Sequence, residues 1–120
     1  MRNAQIQIMS AGDLTGNITG SKVDVNQVVS LSICPVVSGG TTAAGTLKVQ
    51  VSNDVPSTER VNFTPTNWAD IPNATSAISS GVGPAIVISN ACFSYIRVVY
   101  TRSSGGTSET LACNMNVLSI

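Results

Sequence analysis

Apolar and polar residues alternate along "TLKVQVS", residues 46–52: Leu47, Val49 and Val51 fall on one side, Lys48 and Gln50 on the other. That period of two marks a strand with one buried face. It recurs in "AQIQIM" (4–9), which puts Ile6 and Ile8 on one face, and in "ETLACNMNVLSI" (109–120), where Leu111, Cys113, Met115 and Val117 oppose Asn114 and Asn116. "VVSLSICPVV" (28–37) groups Val29, Leu31 and Ile33, and Pro35 then limits its pairing to an edge or a bulge. "FSYIRVVYTR" (93–102) is long and rich in β-branched and aromatic residues. Weaker strand signals lie at 16–25, at "WADI" (68–71) and at "AIVIS" (85–89). No stretch carries a helical period.

Clusters of Gly, Ser, Asn and Pro separate these runs: "SGGTTAAG", "SNDVPSTERVNFTPTN" and "RSSGGTSE". The pattern predicts an all-β chain, a single antiparallel β-sandwich or jelly-roll-like domain of about eight strands. It spans 1–120 with no second domain and no linker. Val49, Val51, Ile96, Val98, Leu111, Cys113 and Val117 form the predicted core. "TRSSGGTSE" reads as a hairpin loop joining the last two long strands, and "SGGTTAAGT" as a flexible turn. The longest irregular segment, 53–67, is the place to expect function or a partner.

Charge narrows the picture. Lys and Arg number 6, Asp and Glu 6, and charged residues make up 10% of the chain, against about 25% in ordinary soluble domains. No basic patch can be argued for, so nucleic acid is not expected as a partner. A neutral Ser/Thr/Asn surface lacks the repulsion that keeps monomers apart and suits a life in an assembly. No apolar run approaches the roughly 18 residues of a membrane span. The start, "MRNAQIQIMSAGD", has no continuous apolar core and does not read as a signal peptide. Cys34, Cys92 and Cys113 are an odd set and are expected as buried free thiols, with a Cys92–Cys113 bridge as the lesser alternative.

Candidate chemistry is sparse. There is no histidine, so neither a Ser-His-Asp nor a Cys-His site can be built. The acids are scattered, and no enzyme activity and no cofactor is expected. Asp54 with loop carbonyls is a conceivable calcium site, but the spacing is not that of an EF-hand. The triplets at 17–19, 62–64 and 73–75 match the glycosylation pattern and read as chance in an Asn/Thr-rich chain. Trp68, the only tryptophan, is either a sugar platform beside the 53–67 loop or a plug across the sandwich with its indole N–H on a loop carbonyl. Aromatics are 4% of the chain, and Tyr95 and Tyr100 point to opposite faces of one strand, so the plug is the expectation. Tyr95 and Val99 are expected to be exposed on the outer face of the 93–102 strand. They would form an apolar stripe for self-association. The candidate binding residues are therefore Trp68, Asp54, Tyr95 and Val99.

Four elements occur in one order: Val49 to Asp54 as "V-x-x-S-N-D", Trp68 to Pro72, Tyr95 to Thr101, and the Gly-rich run Ser103 to Thr107. Over roughly 45–118 the chain thereby resembles small β-sandwich structural proteins of tailed and other bacterial viruses. The resemblance implies a virion protein (capsid, decoration or tail component) made in a host cytoplasm. Its partners would be its own copies and other virion proteins. A similar "V-x-x-S-x-D…W" arrangement occurs in discoidin-like and other carbohydrate-binding sandwiches, which makes a host glycan the alternative partner. This chain differs from those by its longer loop before Trp68 and its lack of an aromatic cluster.

Overall fold

The predicted strands form, and they sort into two sheets that enclose the predicted core. Residues 2–120 are described by a computed structural model. In chain order its strands are β1 (Arg2–Gly12), β2 (Ile18–Thr19), β3 (Val23–Asp24), β4 (Val28–Ser38), β5 (Ala44–Ser52), β6 (Ala69–Ile78), β7 (Gly81–Val82), β8 (Ile86–Ser89), β9 (Tyr95–Ser104) and β10 (Thr110–Ser119). Among the described residues no helix is long and apolar enough to cross a membrane. Sheet A runs β1-β10-β4, with β7 and β8 both on the far side of β4. Sheet B runs β6-β5-β9, with β2 and β3 both on the far side of β9. Every pairing is antiparallel.

The pairs β2/β3 and β7/β8 are each one broken edge, which reconciles ten strands with the eight expected. Numbered as eight, the sheets read 1-8-3-6 and 2-7-4-5, the strand order of a jelly roll. With each broken edge counted as one strand, successive strands switch sheets except at β5–β6. The inner faces meet in one core. Leu47, Val49 and Val51 of β5 and Ile96, Val98 and Tyr100 of β9 face Leu31 and Ile33 of β4 and Leu111, Cys113, Met115 and Val117 of β10. All seven predicted core residues are buried. A register shift between Gln7 and Met9 bulges β1, and Ile8 and Met9 are both buried there.

Several local expectations are corrected. β4 is not an edge: it pairs with β10 on one side and with β7 and β8 on the other. Pro35 fits because its carbonyl accepts from Gly83 N at 2.9 Å, and in an antiparallel strand a residue's N and C=O point the same way. The missing donor therefore faces the gap along β4 between its pairing with β8, which ends at Ile33, and its pairing with β7, which begins at Val36. The strand predicted at 68–71 runs on through Pro72 to Ile78. It can do so because β6 is an edge and is bulged opposite Val49, with Asn73 at φ 64°. Of the three free cysteines only Cys113 is buried; Cys34 is half-buried and Cys92 exposed. Burial pushes the Cys113 thiol up to about 12, so it behaves as a small apolar core residue.

The largest correction concerns "TRSSGGTSE". β9 and β10 lie in different sheets, so this segment is an arch over the end of the sandwich and not a hairpin. Gly105 and Gly106 take φ 66° and 86°. A Cβ at Gly105 would fall on the Thr42 carbonyl, and one at Gly106 on the Leu14 carbonyl. The "SGGTTAAGT" arch between β4 and β5 packs against it. Glu109, fully buried, ties the two. Its Oε1 accepts the Thr42 hydroxyl and the Thr42 amide, both at 2.7 Å, and its Oε2 the Ser108 amide at 3.2 Å. The Glu109 carbonyl accepts Asp13 N from the β1–β2 arch at 3.0 Å.

The Thr42 hydroxyl first, and then its amide, hold the Glu109 carboxyl below the ordinary glutamate value of 4.5 against the opposing effect of burial. A folded value below the unfolded one adds stability above 4.5 and loses it as pH falls through the folded value. Glu109→Gln keeps the shape and removes the charge. It is expected to lower the thermal midpoint at neutral pH and to flatten, without abolishing, the loss of stability below pH 4.5, since lowered aspartates also contribute. Thermal melts followed by circular dichroism across that range check this; an unchanged neutral midpoint refutes it. Gly105→Ala is expected to cost about 2–4 kcal/mol, read by urea denaturation.

Candidate functional site

The one connection that stays within a sheet, between β5 and β6, is also the longest. Residues 53–68 fold back over the outer face of sheet B. Asp54 clasps the two ends of this loop. Its carboxylate accepts Thr66 N at 2.8 Å, Asn67 N at 3.0 Å and Asn67 Nδ2 at 2.9 Å. The Asn67 amide, first, lowers its pKa. Both oxygens are thus engaged by the loop, which makes Asp54 a clasp and leaves no lone carboxylate pointing at solvent.

Tyr95 is the seat on which the loop rests. Its hydroxyl donates to the Arg60 carbonyl at 3.0 Å. Phe63 lies with ring centroids 5.9 Å apart. The Arg60 guanidinium is 4.8 Å, and the Lys22 ammonium 5.5 Å, from the Tyr95 ring centroid. Arg60 is itself held in a two-pronged pair with Asp24, at 2.7 and 2.8 Å, and donates to the Ser94 carbonyl at 3.0 Å. That pairing, first, lowers the Asp24 pKa. Lys22 donates to the carbonyls of Val61 and Phe63. The expectation of an exposed Tyr95 is overturned: its relative exposure is 0%. Tyr95 does start on the outer face, but the returning loop covers it, so no Tyr95–Val99 apolar stripe is open to a partner. Val99 is half-buried on the same face, opposite Lys48.

Trp68 is not a core plug. It is half-buried, outside the core cluster, and on the outer face with the Arg97 guanidinium 4.2 Å from its ring centroid. The other half of that expectation holds: the indole N–H donates to the Pro65 carbonyl at 3.2 Å. A polar row continues from it across the strands. Arg97 Nε donates to Gln50 Oε1 at 2.8 Å, Gln50 Nε2 to Asp70 Oδ1 at 2.9 Å, and Lys48 Nζ lies 3.3 Å from Asp70 Oδ2. Gln50, then Lys48, lowers the Asp70 pKa. Beside Trp68 and Arg97 opens a cleft of about 330 Å³, lined also by Gly20, Ser21, Lys22, Thr64 and Pro65.

The four sequence-predicted residues thus share one region with different roles. Asp54 and Tyr95 hold the loop, Trp68 walls the cleft, and Val99 lies two residues beyond Arg97. Arg97, Gln50, Asp70 and Lys48 were missed. Their signal was the polar half of the alternation in β5 and β9, which reads as solvent-facing until the register lines them up. Chemically the cleft offers a flat indole face, cationic donors and loop carbonyls, which suits binding.

No protein-family model matches the chain, and no curated protein matches it. Solved structures are similar in outline, three of them as follows. The SPBc2 prophage-derived protein YomS aligns at TM-score 0.49 with 12% identity, covering 98% of this chain and 94% of YomS. A chain of the disulfide-linked pili of Bacillus endospore appendages aligns at 0.48 with 12% identity, covering 98% and 88%. A chain of the infectious bursal disease virus Gx strain aligns at 0.49 with 16% identity, covering 97% of this chain and 32% of the viral one.

Tyr95→Ala, which unseats the loop, is expected to cost about 3–5 kcal/mol, and Tyr95→Phe about 1 kcal/mol. Tyr95→Ala at the cost of an exposed side chain, under about 0.5 kcal/mol, contradicts the seat. Arg97→Ala should cost only about 0.5–1 kcal/mol. It should also shift the emission of the lone tryptophan to the red; unshifted emission contradicts the stack.

Proposed function

We propose that this protein is a non-enzymatic structural component of a virion, working through contacts with its own copies and with other particle proteins. The observation that carries the reading is the strand order 1-8-3-6 over 2-7-4-5, an architecture used by viral capsid domains. Two further features support it. The resemblance over 45–118 points the same way, and a surface with few charges and no net charge tolerates dense packing among copies. Whether the place in the particle is shell, decoration or tail follows from where the protein is found.

The second reading, recognition of a host glycan, is favoured by the Trp68–Arg97 cleft, since jelly rolls also serve as lectins. One stacking ring with flanking donors would hold a single sugar unit weakly.

Mass spectrometry of purified particles is expected to find this chain at a stoichiometry of many copies per particle. Its absence from particles of a virus that encodes it overturns the proposal. On a glycan array the protein is expected to give no signal that depends on Trp68. Hits lost in Trp68→Ala would establish the second reading instead.

A further inference from the structure

Four edges bound the two sheets, and three are guarded. β6 carries Asp70, Pro72 and the left-handed Asn73. The edge beside β9 is cut into two strands of 2 residues each, β2 and β3. The edge beside β4 is split between β7 and β8 by Gly83 and Pro84. Breaks, charges and prolines of this kind stop strands of other molecules from adding on. β1 differs. It is 11 residues long and, among the described residues, pairs only with β10. Its stretch Asn3-Ala4-Gln5-Ile6-Gln7 has no charge, no proline and no bulge. Asn3, Ala4, Gln5 and Gln7 are exposed and Ile6 is half-buried, so both faces of this stretch are open. Half of its backbone N–H and C=O groups point away from β10, where a further strand would bond them.

Resting on the reading of an assembling protein, we infer that β1 is its self-pairing edge: residues 3–7 of two copies join antiparallel across a two-fold axis at Gln5. The sequence is matched to itself in that register. Asn3 falls opposite Gln7, and Gln5 opposite Gln5, on one face. On the other, Ala4 falls opposite Ile6. Carboxamides carry both donor and acceptor, so like meets like without repulsion, whereas a single charge would not. The polar side continues an uncharged row already present on sheet A, where Gln5, Asn116 and Ser32 align across β1, β10 and β4, and Gln7, Asn114 and Cys34 beside them. A cleft of about 320 Å³ runs along these residues. The apolar side covers Ala4 and Ile6, which no element of this chain covers fully. The partner is a second copy of this chain, and the product is one sheet continuous through both. Five paired residues bury less than a standard interface, so the isolated dimer is weak, in the micromolar range, and gains from repeated contacts in a particle.

Sedimentation analysis of the full chain from micromolar to millimolar concentration tests this. The wild type is expected to shift from 12.3 kDa toward twice that mass. Gln5→Lys and Gln5→Glu each place like charges opposite one another and are expected to weaken the dimer about fivefold. An equimolar mixture of the two variants is expected to recover it. Both substitutions sit on an exposed side chain, and unchanged thermal midpoints keep folding out of the comparison. A wild type that stays at 12.3 kDa throughout, or variants that associate like the wild type, or a mixture no tighter than either variant, overturns the inference. A wild-type assembly indifferent to the charges leaves the virion reading standing. A charge-dependent dimer missing from particles removes that reading and leaves the edge.

Discussion

A jelly roll is held shut at its ends, and here one end is held by a carboxylate. Strands that alternate between sheets must cross the open end of the sandwich repeatedly, and each crossing exposes backbone donors where no neighbouring strand can take them. Three crossings meet at Glu109: the β1–β2 arch at Asp13 and Leu14, the β4–β5 arch at Thr42, and the β9–β10 arch at Gly105 and Gly106. Two carboxylate oxygens collect donors from Thr42 and Ser108, and the backbone C=O takes Asp13. Thr42 in turn accepts Gly106 N at 3.2 Å, and the Gly106 carbonyl accepts Leu14 N at 2.8 Å. No disulfide links the arches. One well-bonded anion serves instead, because charge-assisted bonds offset the cost of burying it.

That closure decides what the surfaces can do. With the other crossings engaged at the ends, only the β5–β6 connection is free to lie along a sheet. It lies on sheet B and brings charge there. Lys22, Asp24, Lys48, Asp54, Glu59, Arg60, Asp70 and Arg97 all belong to that face or its loop. Those eight leave four of the twelve charged residues for the rest of the chain. Net neutrality therefore hides a segregation: one face of the sandwich is ionic and covered, while the other carries carboxamides, hydroxyls and exposed valines such as Val82 and Val87.

The strands and the core were legible because the buried face imposes a period of two. Val49, Val51, Ile96, Val98, Leu111, Cys113 and Val117 follow from that alone. What failed were inferences about partners across space. "TRSSGGTSE" has hairpin composition, but glycine at positive φ serves an arch equally well, and no local signal says that β9 and β10 part into different sheets. Tyr95 occupies an outward position and is buried because a loop anchored by Arg60, Phe63 and Lys22 returns from 35 residues earlier in the case of Arg60. Trp68 missed for the same reason, since its stacking partner Arg97 is set by register. Glu109 looked like one more scattered acid, because what makes it special is the convergence of segments distant in sequence.

The same segregation bears on where a partner binds. On sheet B the side chains already satisfy one another: Arg97 with Gln50, Gln50 with Asp70, Arg60 with Asp24, Asp54 with its own loop. A partner docking there would have to break these pairs or desolvate them whole, and exchange of one hydrogen bond for another gains little. The β1 edge presents the opposite case. Among the described residues its outward backbone groups pair with no other strand, and the side chains of residues 3–7 carry no charge to desolvate. A strand added there replaces water with bonds of fixed geometry and removes Ala4 and Ile6 from solvent at once. The ionic face is thus built to hold a loop in place, and the neutral edge has the physical character of a surface left for another chain.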